Sequence, residues 1–111
     1  MPIQVILNQK GPLPLTANFN AIGDMPVYIE VNGSIWTQSV NAMIGIAVQL
    51  DGHNVGTAQI WSNGNATHRT VVPAYIAAKL TQGQHKLTLL VAPGSSTISD
   101  FNDWYTAVIH Y

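Results

Sequence analysis

Apolar and polar residues alternate with a period of two through most of this chain, the spacing of a half-buried β-strand rather than a helix. Val27, Ile29 and Val31 alternate with Tyr28, Glu30 and Asn32. Ile44, Ile46, Val48 and Leu50 alternate with Met43, Gly45, Ala47 and Gln49. The pattern predicts strands over Ile3–Leu7, Val27–Thr37, Met43–Leu50, Val55–Trp61, Thr67–Tyr75, His85–Ala92 and Trp104–Tyr111. Gly33-Ser34 marks a bulge in the second of these, and Leu87, Leu89 and Val91 share a face of the sixth. Gly11-Pro12 and Pro14 make Leu13–Phe19 an edge strand or an irregular segment, because proline removes a ladder donor. Asp51-Gly52 is a strong hairpin signal and predicts that Met43–Leu50 and Val55–Trp61 pair antiparallel. Ser62-Asn63-Gly64-Asn65 turns the chain again, and Pro93–Asp103 reads as a polar loop. One stretch, Pro73–Leu80, has a helical reading, which Pro73 and Tyr75-Ile76 oppose.

Turn signals spaced about 8–12 residues apart predict an all-β protein built as an antiparallel two-sheet β-sandwich. Its 111 residues make one domain, 1–111. Both faces of the closing strand are at least half apolar: Tyr105, Ala107, Ile109 and Tyr111 on one, Trp104, Thr106, Val108 and His110 on the other. A strand wet on one side alternates more cleanly. Either its second face is partly exposed, or it packs against a neighbouring subunit. Composition favours the subunit: 47% of residues are hydrophobic and 8% charged, against about 25% charged in a typical soluble domain. There is no cysteine to staple so small a domain, which leaves oligomerisation as its stabiliser.

Charge and composition exclude other classes. Lys10, Arg69, Lys79 and Lys86 are scattered, so no basic stripe exists for nucleic acid. No apolar run approaches the roughly 20 residues that span a bilayer, and no membrane insertion is expected. The first residues carry no signal-peptide pattern, so localisation is unassigned; an extracellular or virion-associated place would need another route.

Three segments carry a family resemblance: the strand, Asp51-Gly52, strand hairpin; Gly83-Gln84-His85-Lys86-Leu87-Thr88-Leu89; and the Ser/Thr-rich loop leading through Asn102-Asp103-Trp104-Tyr105 into the final strand. Together, from Val27 to Tyr111, they resemble small TNF/C1q-like jelly-roll domains of bacterial and phage type. The resemblance implies a compact homotrimer with its inner sheets at the three-fold axis. It also implies that the first and last strands are neighbours, placing Ile3–Leu7 beside Trp104–Tyr111. Trp104, Tyr105, Val108 and Tyr111 then form the expected oligomer interface.

Candidate chemistry is sparse. His53, His68, His85 and His110 form no metal-ligand spacing, so no metal site is expected. His53 reads as solvated, and His85 and His110 as paired within the sheet. Asp100 and Asp103 sit in an oxygen-rich loop without the spacing of a calcium site, and read as turn and cap residues. No G-x-S-x-G, no phosphate loop and no carboxylate pair occurs, so neither a catalytic residue nor a cofactor is expected and the chain reads as no enzyme. Asn32-Gly33-Ser34 and Asn65-Ala66-Thr67 are chance glycosylation patterns. The aromatic residues suit a subunit interface or the apolar face of a sugar ring. Trp61 with Asn63, Asn65 and His68 forms the candidate ligand cluster. The expected function is therefore a homotrimeric recognition module for a glycan or surface receptor. The alternative is a structural trimerisation, fibre-tip or capsid-associated unit with no small ligand.

Overall fold

The computed structural model describes residues 2–111. Nine strands run in order: β1 Ile3–Lys10, β2 Leu15–Ala21, β3 Met25–Ile35, β4 Ala42–Leu50, β5 His53–Ser62, β6 Arg69–Thr70, β7 Ala74–Leu80, β8 Gly83–Val91 and β9 Trp104–His110. No α-helix occurs among the described residues, and so none long and apolar enough to cross a membrane. The strands form two antiparallel sheets. One has the order β1-β9-β3, with β6 and β7 both on the far side of β3; the other has the order β2-β8-β4-β5. The chain crosses between sheets repeatedly, which is jelly-roll connectivity.

The period-two pattern decides which side chains meet between the sheets. Ile29, Val31, Ile35 and Ile109 point in from the first sheet, and Ile44, Ile46, Val48, Leu87 and Leu89 from the second; all are 0% exposed. Each such side chain contributes about 1.5–3 kcal/mol by leaving water. The Asp51-Gly52 hairpin forms as expected, with φ of 52° and 84°, both in the left-handed region that a two-residue turn requires. The segment after Pro12 and Pro14 becomes the edge strand β2, paired on one side with β8. Strand β1 lies antiparallel to β9, with Ile3 opposite His110.

Several expectations are corrected. Pro73–Leu80 is not helical: Ile76 and Leu80 are buried, while Tyr75, Ala77 and Lys79 are exposed, so the stretch alternates as a strand. Its three alanines carry almost no pattern. The continuous strand expected over Thr67–Tyr75 is broken. Arg69–Thr70 pairs with β3, and then the chain bridges the sheets, with Val71 N–H donating to Gly33 C=O and Val72 N–H to Gln59 C=O. Val91 shares the face of Leu87 and Leu89, as expected, but lies at the sheet margin, 37% exposed.

Gly33 marks no bulge. Pairing with β9 runs without a register shift from Tyr28 to Gly33, and the inward phase of Val31 is kept at Ile35. The irregularities fall at Val5/Leu7 and Val48/Gln49 instead. Glycine is needed at position 33 for space. A Cβ there would lie 2.5 Å from Tyr105 Cδ1, and one at Gly11 would lie 3.0 Å from Tyr105 Cε2. The Tyr105 ring fills the gap between two glycines. Tyr105 is 0% and Tyr111 8% exposed. Both therefore belong to the monomer's core, and their assignment to an oligomer interface is corrected. Trp104 and Val108 occupy the other face of β9.

Candidate functional site

Three surfaces offer chemistry, and the sheet register builds each one. The first is the outer face of the five-stranded sheet. Pairing across it gives one row of Ile3, His110, Tyr28 and Ala77, and a second of Val5, Val108, Glu30 and Tyr75. Ile3, Val5, Tyr28 and Tyr75 are each more than half exposed. At the centre His110 Nε2 donates to Glu30 Oε1 at 2.7 Å, so the one imidazole and the one carboxylate in these two rows are paired with each other. Beyond them stands Trp104, whose Nε1–H donates to Asn8 Oδ1 at 2.6 Å, beside an open groove of about 280 Å³ with Ser34, Thr70 and Thr106. Exposed apolar side chains on a monomer are ordinary when single; a contiguous face of them marks a contact surface.

The second surface is the loop end around Asp103. This carboxylate is 0% exposed. Its Oδ1 accepts from the Ser34 hydroxyl at 2.8 Å and from His68 Nδ1–H at 2.6 Å, and its Oδ2 accepts from Asp100 N–H at 2.9 Å. The backbone adds a bond from Gly11 N–H to Asp103 C=O. Trp36 lies against the His68 ring with centroids 5.8 Å apart. Atoms of His68, Asp100 and Asp103 that could serve as metal ligands lie within 4.8 Å of one another. Three donors already engage the Asp103 oxygens, and Asp100 Oδ1 accepts Asn102 N–H in a tight turn. The arrangement fastens the 93–103 loop to β3 and to the 63–68 turn.

The third surface is the outer face of the four-stranded sheet. Thr57, Gln59 and Trp61 point outward from β5, opposite Ala47, Gly45 and Met43 of β4. Trp61 is 54% and Met43 48% exposed. The 92–95 loop flanks them, held by Ala92 N–H donating to Gly45 C=O at 3.0 Å. Between loop and strands runs a groove of about 490 Å³ whose polar lining includes Asn54, Thr57, Gln59 and Ser95. Among the described residues, none of those lining it is charged.

The structure therefore separates the expected ligand cluster. Trp61 stands on the sheet face. Asn63 accepts from Arg69 Nη2 at 3.1 Å in the adjoining loop, and the Asn65 carbonyl accepts from Thr67. His68 turns away to Asp103. No hydrogen bond joins these four residues to one another among the described residues. Sequence reasoning passed over Thr57 and Gln59, although the same alternation that turns Trp61 outward turns them outward too.

No protein-family model matches the chain, and no curated protein matches it in sequence. Solved structures match its fold. A family 35 carbohydrate-binding module from Clostridium thermocellum is 13% identical with a TM-score of 0.58, covering 96% of this chain and 90% of that one. A CBM36-1 domain of a multidomain xylanase from the hindgut metagenome of Trinervitermes trinervoides is 9% identical with a TM-score of 0.52, over 97% and 94%. The EclA C-terminal domain, a sugar-binding protein, is 17% identical with a TM-score of 0.52, over 92% and 69%. The chain is thus an all-β jelly-roll sandwich whose structural neighbours include carbohydrate-binding modules. These neighbours do not single out the TNF/C1q-like branch of the fold.

Proposed function

We propose that this protein is a non-catalytic recognition module that binds carbohydrate and assembles as a homotrimer in the TNF/C1q-like manner. The observation that carries the reading is the contrast between its two outer sheet faces. The five-stranded face carries a central apolar block of Ile3, Val5, Tyr28, Tyr75 and Val108 around the paired His110 and Glu30, with Lys10 and Lys79 at opposite ends. That suits burial against further copies of the chain, with Val108 and Trp104 of β9 in the contact. The groove on the four-stranded face is lined by no charged side chain, Lys86 of β8 lying outside its lining, and has an exposed indole beside it. That suits a hydroxyl-rich ligand, whose apolar ring face stacks on Trp61 while its hydroxyls meet amide and hydroxyl side chains. The fold of the sugar-binding neighbours is compatible with this reading, though fold alone does not carry function.

Light scattering at micromolar concentration should return three times the 12.0 kDa chain mass. Val108→Asp should reduce it to one chain mass while the β-sheet spectrum persists, because an unpaired charge would have to be buried in the contact. A soluble wild-type monomer at that concentration would remove the trimer. A glycan array probed with the verified assembly tests recognition, and absence of any glycan binding would remove it. A trimer with no glycan binding would favour the second reading, a purely structural assembly unit, which the apolar face by itself also supports.

A further inference from the structure

We infer that the groove on the four-stranded sheet takes an internal stretch of a neutral, unbranched polysaccharide, rather than a terminal sugar or an anionic glycan. The inference rests on the carbohydrate-recognition reading and names the ligand class for that face.

Placement argues for a polymer. Thr57, Gln59 and Trp61 project from one face of a single strand, two residues apart. At about 3.4 Å of rise per residue they stand roughly 7 Å apart, in a straight file. Thr57 and Trp61, roughly 14 Å apart, cannot both reach one sugar ring, so the file as a whole meets an extended ligand. Asn54 continues the groove beyond Thr57, and the 92–95 loop walls its flank. Gly45 supplies the floor opposite Gln59. A Cβ there would press on Thr57 Cγ2 at 3.0 Å and Gln59 Cβ at 3.3 Å, so glycine lets the neighbouring strand and its outward side chains lie close over the floor.

Chemistry argues for neutrality. The side chains of Asn54, Thr57 and Gln59 make no hydrogen bond to protein among the described residues, nor does Trp61 Nε1. Their donors and acceptors point to solvent and are free for hydroxyl groups. A carboxylate or sulfate seated there would lose water and find no cation, since no lysine or arginine lines the groove.

Affinity electrophoresis and calorimetry on the full-length assembly test this. The neutral probes are hydroxyethylcellulose, linear β-glucan, xylan and amylose; the anionic probes are polygalacturonate and heparin. Binding is expected to at least one neutral polymer, and its free monosaccharide should not compete. Affinity should hold between about 0.1 M and 1 M salt, over which the Debye length falls from about 10 Å to 3 Å. Trp61→Ala and Gln59→Ala, both at exposed positions, should each weaken it, the former about tenfold or more. Preference for an anionic probe, salt-sensitive binding, or full competition by a monosaccharide overturns the proposed ligand class. Neutral-polymer binding untouched by both variants overturns the site and leaves the recognition reading standing. No binding to any of these polymers or to the glycan array overturns both.

Discussion

Replacing Gly33 by alanine adds one methyl group to the middle of a strand, and two effects of opposite sign compete over it. Glycine within a strand is destabilising by about 0.5–1 kcal/mol relative to alanine, because it loses more backbone freedom on folding. With space available, Gly33→Ala would therefore stabilise the fold. Space is lacking. The new Cβ would lie 2.5 Å from Tyr105 Cδ1, 3.0 Å from Cε1 and 3.0 Å from the Trp104 carbonyl oxygen. Carbon atoms normally settle about 3.5–4.0 Å apart. The ring cannot swing away, since it is 0% exposed and Gly11 closes its far edge. Overpacking of this kind costs about 1–3 kcal/mol. The clash outweighs the entropic gain, with a net loss of about 1–2 kcal/mol. For a domain of this size that lowers Tm by roughly 4–8 °C. The assay is thermal unfolding by circular dichroism at matched protein concentration, because assembly makes Tm concentration-dependent. An unchanged or raised Tm would refute the reasoning. A second measurement isolates the cause: in a Tyr105→Leu background the methyl group has room, so the penalty should shrink by about 1 kcal/mol. Simple additivity of the two substitutions would show that the ring is not what glycine accommodates.

Other perturbations separate the remaining roles. Asp103→Ala strands the Ser34 hydroxyl, His68 Nδ1–H and Asp100 N–H; a cost of about 1–3 kcal/mol is expected, with faster amide exchange across 93–103, and unchanged exchange there would refute the fastening role. The His85 side chain, 10% exposed, donates from Nδ1 to Asp51 Oδ2 and from Nε2 to Thr81 C=O, which together favour the doubly protonated ring and raise its pKa above the ordinary 6.5. Burial opposes ionisation of Asp51, but the hydrogen bonds from His85 and Lys86 N–H and the nearby His85 and His53 charges hold its carboxyl below the ordinary 3.8. The histidine's contribution to stability is lost as pH rises through its raised value, and the aspartate's as pH falls through its lowered one. The stability gap between wild type and Asp51→Asn should therefore be widest between pH 3.8 and 6.5 and narrower once pH exceeds the raised histidine value, and a gap as wide at high pH as inside that window would refute the pairing. Asparagine tolerates the left-handed backbone that position 51 adopts, so the comparison removes the charge and one acceptor without straining the turn. Tyr105→Asp should unfold the chain rather than dissociate folded subunits, in contrast to Val108→Asp, as sedimentation combined with near-ultraviolet dichroism would show.

Local pattern determined a large part of this protein. Alternation is written residue by residue, so β3, β4, β5, β8 and β9 could be read directly, as could the Asp51-Gly52 turn, whose left-handed backbone suits that dipeptide. Where side chains carry little contrast, as in Ala74, Ala77 and Ala78 of β7, the pattern fell silent and tertiary pairing with β3 decided the strand. Tertiary structure alone decided what the faces mean. Whether Val5, Val108, Glu30 and Tyr75 share a row depends on register between strands 45 to 103 positions apart in the chain, and no local rule encodes that offset. The same holds for His68, drawn to Asp103 rather than to Trp61, and for Gly33, whose need for space comes from Tyr105 across the ladder. The sequence established that both faces of the closing strand are at least half apolar. Packing established that Tyr105 and Tyr111 face inward and Trp104 and Val108 outward, because only one face of a strand can meet the opposite sheet.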